Sequence, residues 1–139
     1  TMATTLTAAE TGHLVLATLH TNSATQAVDR VIDVFPPYQQ NQVRTQLSFC
    51  LLAIIAQRLL PRADGRGMVL AVEVLRNVPG VANLIREGKT SQVGTLLETH
   101  AKVGMQTMDA AVKELYQRGL ITRDVAARHM PNPQYLSSA

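Results

Sequence analysis

Gly12 follows a short segment with scattered apolar positions and supplies the left-handed residue that ends a helix, so the spacing predicts a helix over 1–12. The run His13-Leu14-Val15-Leu16-Ala17-Thr18-Leu19-His20 is almost continuously apolar rather than alternating, the pattern of a strand covered on both faces of a parallel sheet. Thr21-Asn22-Ser23 then offers consecutive capping side chains, and Ala24, Ala27, Val28, Val31, Ile32 and Phe35 recur at helical spacing until Pro36-Pro37 breaks the run. A second, more deeply buried helix is predicted over about 38–57, with Val43, Leu47, Cys50, Leu51, Ile54 and Ile55 along its inner face. Two strands, 58–62 and 68–75, flank Ala63-Asp64-Gly65-Arg66-Gly67, which has the turn chemistry of a hairpin.

From Asn77 onward the signals are helical. Pro79 and Gly88 bracket Val81, Leu84 and Ile85; Thr90 or Ser91 can cap a helix carrying Val93, Leu96 and Leu97. Thr107 can cap another with Met108, Ala111, Val112 and Leu115, ended by Gly119, and Thr122 starts a last one that Pro131 terminates. The N-terminal half therefore reads as α/β and the C-terminal half as a small helical bundle.

Composition narrows the function classes. Hydrophobic residues are 46% and charged residues 17% of 139, enough for an ordinary core, so one domain or a piece of something larger is expected. Aromatics are only 4% and Trp is absent, which disfavours base-stacking folds. Lys+Arg 13 against Asp+Glu 10 leaves +3, with no basic run to track phosphates, so no nucleic acid is expected as a partner. Cys50 is the single cysteine, which excludes an intrachain disulfide and a multi-cysteine zinc site and fits a reducing compartment. The most apolar stretch, 49–56, is far short of the roughly 20 residues of a membrane span. The chain therefore reads as cytosolic.

Candidate chemistry is sparse. His13 and His20 sit at opposite ends of the predicted strand, roughly 23 Å apart and on opposite faces, so they cannot share a metal, and no metal site is expected. His20 lies at the carboxyl end of that strand beside a helix start, where open α/β sheets hold ligands; the alternative is a histidine that hydrogen-bonds a turn. Gly88-Lys89-Thr90 resembles the end of a P-loop, but Asn83 stands where the first glycine is needed and the preceding residues are helical, so no phosphate cradle can form. Val69-Leu70-Ala71-Val72-Glu73 reads as a half-buried strand with an exposed Glu73 rather than as a metal-binding acid. Arg58, Arg62 and Arg66 around the hairpin are a solvated face before they are phosphate ligands. No nucleophile, base and orienter set can be assembled.

One longer string is specific. Leu6-Thr7-Ala8-Ala9-Glu10-Thr11-Gly12-His13-Leu14-Val15-Leu16-Ala17-Thr18-Leu19-His20-Thr21-Asn22-Ser23-Ala24 resembles the histidine box of the secretion and type IV pilus motor ATPases. Val28-Asp29-Arg30-Val31-Ile32-Asp33-Val34-Phe35-Pro36, Val43-Arg44-Thr45-Gln46-Leu47-Ser48 and Ile55-Ala56-Gln57-Arg58-Leu59-Leu60 resemble the PilT branch, the pilus retraction ATPases. Gly80-Val81-Ala82-Asn83-Leu84-Ile85-Arg86-Glu87 is similar to the Ala-Ile-Arg-Asn-Leu-Ile-Arg-Glu signature of that branch, with Gly80, Val81 and Ala82 replacing its first residues; Gly104-Met105-Gln106-Thr107-Met108-Asp109 matches the segment after it.

The resemblance implies an α/β fold: the C-terminal part of a RecA-like motor domain over 1–75, then a helical subdomain over 76–139. It implies the C-terminal part of a homohexameric ATPase that powers pilus retraction and twitching, cytoplasmic at the inner-membrane face, bound to an inner-membrane platform protein and peripheral to the membrane through partners only. ATP and Mg2+ would serve the full-length protein, whose P-loop and Walker B strand are absent from this sequence; these residues alone are expected to bind no cofactor and to hydrolyse no ATP. By the same resemblance His20 would sense the γ-phosphate, His13 is the other histidine of the box, and Asn83, Leu84, Ile85, Arg86 and Glu87 would serve coupling rather than chemistry. Secretion ATPases and many extension ATPases carry a tetracysteine zinc element that one cysteine cannot build, which favours the retraction branch. A pilus extension or type II secretion ATPase of the same superfamily is the alternative, and a non-catalytic binding module the distant one.

Overall fold

A computed structural model describes residues 1–137. Helix α1, Met2–Glu10, ends through Thr11 into Gly12, whose φ of +91° is the left-handed turn the sequence predicts. Helix α2, Ala24–Asp33, begins where Ser23 Oγ accepts from Gln26 N at 3.2 Å, and it buries Ala24, Ala27, Val28 and Ile32 on one face. Helix α3, Pro37–Cys50, starts on a proline at its first position and buries Val43 and Leu47.

Two predicted elements differ from the structure. The segment 13–20 is not a buried strand: it has no regular secondary structure, and Leu14 and Leu16 are 76% and 90% exposed. An apolar run becomes a strand only beside neighbours that take its backbone groups, and the only ladder among the described residues joins two other segments. The second helix stops at Cys50 rather than about residue 57, because Leu51 turns extended at ψ 130°. Asn77 Nδ2 donates to the carbonyls of Ser48 and Leu51, each at 2.9 Å, and so takes two oxygens left free at that helix end. Ile54 and Ile55, β-branched, then suit the strand they occupy.

Strand β1, Ala53–Pro61, pairs antiparallel with β2, Met68–Arg76, in a register running from Ala53 opposite Arg76 to Pro61 opposite Met68. The turn is fixed by Asp64, whose carboxylate accepts from Arg62 Nη2 at 2.8 Å and from Arg66 N at 2.9 Å. The hydrogen bond from Arg62 and then that from the Arg66 backbone pull the Asp64 carboxyl from 3.8 down to about 2. A depressed carboxylate stabilises the turn fully above its unfolded value and loses that contribution as pH falls toward about 2. Carboxyl-carbon NMR of the folded chain should therefore show Asp64 ionised down to pH ~3, and Arg62→Ala should return its midpoint toward the ordinary aspartate range. An unchanged midpoint in Arg62→Ala would contradict the pairing.

Four more helices follow: α4 Pro79–Arg86, α5 Val93–Thr99, α6 Met108–Gln117 and α7 Arg123–His129. Thr107 and Thr122 cap the last two through Ala110 N at 3.1 Å and Val125 N at 3.2 Å, as predicted. The buried side chains form two clusters. The first joins Leu6, Val28, Ile32 and Leu47 with Leu75, Val81, Ile85 and Val93; the second joins Leu60 and Ala71 with Val112, Leu115, Ile121 and Ala126. The hairpin touches both through one face, and its other face carries Ile55, Leu59, Met68 and Leu70 exposed.

Candidate functional site

His20 and Thr21 meet the exposed side of α2, where Gln26, Asp29, Arg30 and Asp33 complete a shallow cleft of about 340 Å3. Asn22 N donates to Gln26 Oε1 at 3.2 Å, which folds the incoming loop onto the helix. The imidazole of His20, the guanidinium of Arg30, which has no salt bridge among the described residues, and the carboxylates of Asp29 and Asp33 line the cleft. Such a set can hydrogen-bond a phosphate edge through His20 and Arg30. His13 is elsewhere: its Nδ1 lies 3.1 Å from Thr11 Oγ1 and 3.2 Å from the Ala8 carbonyl, at the end of α1. Local hydrogen bonds hold it there, and it does not line the cleft.

The five residues singled out on α4 separate by burial. Ile85 is fully buried and Leu84 half-buried, whereas Asn83, Arg86 and Glu87 face out. The exposed three are joined through Asn83, whose Nδ2 donates to Glu87 Oε1 at 3.1 Å and whose Oδ1 accepts from Arg86 Nη2 at 3.4 Å; Lys89 Nζ sits 2.9 Å from Glu87 Oε2, and the Arg86 guanidinium lies 5.5 Å from the Phe49 ring centroid. Lys89 holds the Glu87 carboxyl below its ordinary value.

Gly88-Lys89-Thr90 ends this helix and cradles nothing. Gly88 has φ +70°, Lys89 is paired with Glu87, and Thr90 is buried with Oγ1 donating to Asp29 Oδ1 at 2.6 Å. Thr90 therefore caps no helix, contrary to the capping role the sequence offered it; its hydroxyl instead ties the end of α4 to the cleft side of α2. Arg58 likewise donates to the His129 carbonyl rather than lying free on a solvated face.

Glu73 is the residue sequence reasoning placed wrongly. It is buried, not exposed, with Oε1 accepting from Ala24 N at 2.8 Å and Oε2 from Met108 N at 3.2 Å. The available signal was parity, since Ala71, Glu73 and Leu75 alternate along β2 and a strand points all three to one face. Among the described residues no group of three or more His, Cys, Asp or Glu side chains could hold a metal ion.

Residues 1–124 match the family model described as type II/IV secretion system protein. The chain belongs to that family. Within it, the chain is 48% identical over 132 residues to the twitching motility protein of Neisseria gonorrhoeae, covering 95% of this chain and 35% of that one. It is 45% identical over 129 residues to the type IV pilus ATPase PilT of Pseudomonas aeruginosa, covering 93% of this chain and 37% of the relative. Its backbone superposes on the crystal structure of the pilus retraction motor PilT with bound ADP at a TM-score of 0.85, with 47% identity, 99% of this chain and 38% of the other. The chain thus spans little more than a third of the length of these relatives. The α/β class expected of a secretion and pilus family member is the one observed, built here from helices on a two-stranded hairpin.

Proposed function

We propose that the chain is the C-terminal part of an ATPase motor that powers type IV pilus retraction. The observation that carries this is the near-complete coverage of the chain by a PilT retraction motor, at 47% identity and a TM-score of 0.85. Two apolar surfaces support it. The segment holding Leu14 and Leu16 and the outer face of the hairpin at Ile55 and Leu59 are both uncovered, as expected where further strands and helices of a RecA-like core would pack. In this reading 1–75 completes that core and 76–139 is the helical subdomain.

His20 senses the terminal phosphate of ATP across the cleft with α2, and His13 shapes the turn that delivers the segment to it. ATP and Mg2+ are held in this reading by a P-loop and a Walker B strand, motifs that this sequence does not contain. The 139 residues alone are therefore expected to hydrolyse no ATP, and turnover above a protein-free blank would contradict this. Assembly is a homohexamer in the cytoplasm, seated on an inner-membrane platform protein and reaching the membrane only through it; no helix among the described residues is long and apolar enough to cross.

Asn83, Leu84, Ile85, Arg86 and Glu87 couple hydrolysis to movement. Because Arg86 and Glu87 lie outside the core, altering them leaves the fold intact. In the full-length motor, Arg86→Ala with Glu87→Ala should impair pilus retraction while ATP hydrolysis by the purified protein largely survives. Equal loss of both activities, or of neither, would refute the separation.

A further inference from the structure

Glu73 occupies an unusual place in the hairpin. Its neighbours on the same strand face belong to different clusters, Ala71 to the second and Leu75 to the first. The carboxylate between them accepts from Ala24 N and Met108 N, the first residues of α2 and α6. Each of those amides is among the four that helix geometry leaves without an internal partner, and each lies at the positive end of its helix. Ser23 and Thr107 cap other amides, on Gln26 and Ala110, so they cannot replace Glu73 at these two. Gln106 reinforces the approach of α6, since Val74 N donates to its carbonyl at 2.8 Å and its Nε2 donates to the Val72 carbonyl at 2.9 Å.

The first turn of α2 is also where the loop from His20 lands. Ala24 lies four residues beyond His20, and Asn22 is bonded to Gln26 of the same turn. A group that fixes Ala24 N therefore fixes the frame on which His20 and Thr21 are displayed. We propose that Glu73 is a positioning residue for the His20 cleft, a carboxylate that holds the first turn of α2 through the Ala24 amide while its other oxygen is kept in place by the Met108 amide. The inference rests on the ATPase reading above, and its test separates the two.

The substitution is Glu73→Gln in the full-length protein. An amide retains one acceptor oxygen but turns N–H groups toward the other helix end, so one terminus is released. Val112→Ala is the matched control: Val112 is fully buried in the second cluster on α6 and lines no part of the cleft. Hydrogen exchange of segment 19–25 should speed up by about tenfold or more in Glu73→Gln and by less than about twofold in Val112→Ala. In the same preparations, kcat for ATP should fall at least about fivefold in Glu73→Gln with KM changed less than about twofold, while Val112→Ala keeps kcat.

Unchanged exchange at 19–25 in Glu73→Gln overturns the positioning role whatever the enzymology. Faster exchange with unchanged kcat restricts Glu73 to stability and overturns it equally. Absence of hydrolysis by the wild type sinks the ATPase reading instead, and the exchange comparison still decides whether Glu73 holds the loop. If Glu73→Gln does not fold, the wild type carries the test: the Ala24 and Met108 amides should exchange through one opening, with protection factors within about threefold of each other. A difference beyond about tenfold would show that no shared group holds them.

Discussion

Replacing Ile85 with alanine is expected to destabilise the chain by about 2–5 kcal/mol, the largest stability loss among the α4 substitutions. Helix α4 is eight residues long, and so short a segment does not persist without tertiary contacts because its first turn is costly to nucleate. It stays helical because Val81 and Ile85, one turn apart and both fully buried, dock beside Leu75 and Val93 in the first cluster. Removing the Ile85 side chain takes away burial and leaves a cavity among neighbours held by three other elements. Leu84, named beside Ile85 as part of the same sequence signature, is only half-buried, so Leu84→Ala should cost about 1–2 kcal/mol. Urea midpoints at constant m-value check the order. Leu84→Ala costing more than Ile85→Ala would mean that α4 docks through a different face.

The second large effect is catalytic. His20→Ala in the full-length motor should lower kcat for ATP by about tenfold or more, because a lost hydrogen bond to a charged group is worth roughly 1.5–3 kcal/mol. Nucleotide affinity should change much less. A contact with one terminal phosphate adds little to binding a whole nucleotide, and the shallow cleft of His20, Thr21 and α2 presents a single edge rather than an enclosing pocket. His13→Ala is the natural comparison, since its ring is committed to Thr11 and the Ala8 carbonyl and stands outside the cleft. An unchanged kcat in His20→Ala would make His20 a turn histidine and nothing more.

Local chemistry made much of this fold readable. Ser23, Thr107 and Thr122 are caps because their hydroxyls reach amides three residues on, a signal contained within four consecutive residues. The hairpin turn around Asp64 was equally plain. What failed depended on distant partners. The apolar run at 13–20 carries the composition of a buried strand, but whether it joins a sheet depends on segments that are not beside it in sequence. The end of α3 is set by Asn77, twenty-six residues beyond Leu51, so apolar spacing alone ran the helix on through Ile54 and Ile55. Glu73 was misplaced because a charged side chain is exposed by default, and nothing nearby in the chain reveals two helix termini converging on its carboxylate. Thr90 shows the same limit: a threonine before an apolar run resembles a cap until Asp29 takes its hydroxyl.

Counting surface pili on cells from which the gene has been deleted tests the assignment to retraction most directly. A retraction motor removes pili that another machine has built, so the deletion strain should remain piliated, with pili as numerous as on the parent or more so, and should not twitch. Cells without surface pili would assign the chain to extension instead and contradict the retraction reading.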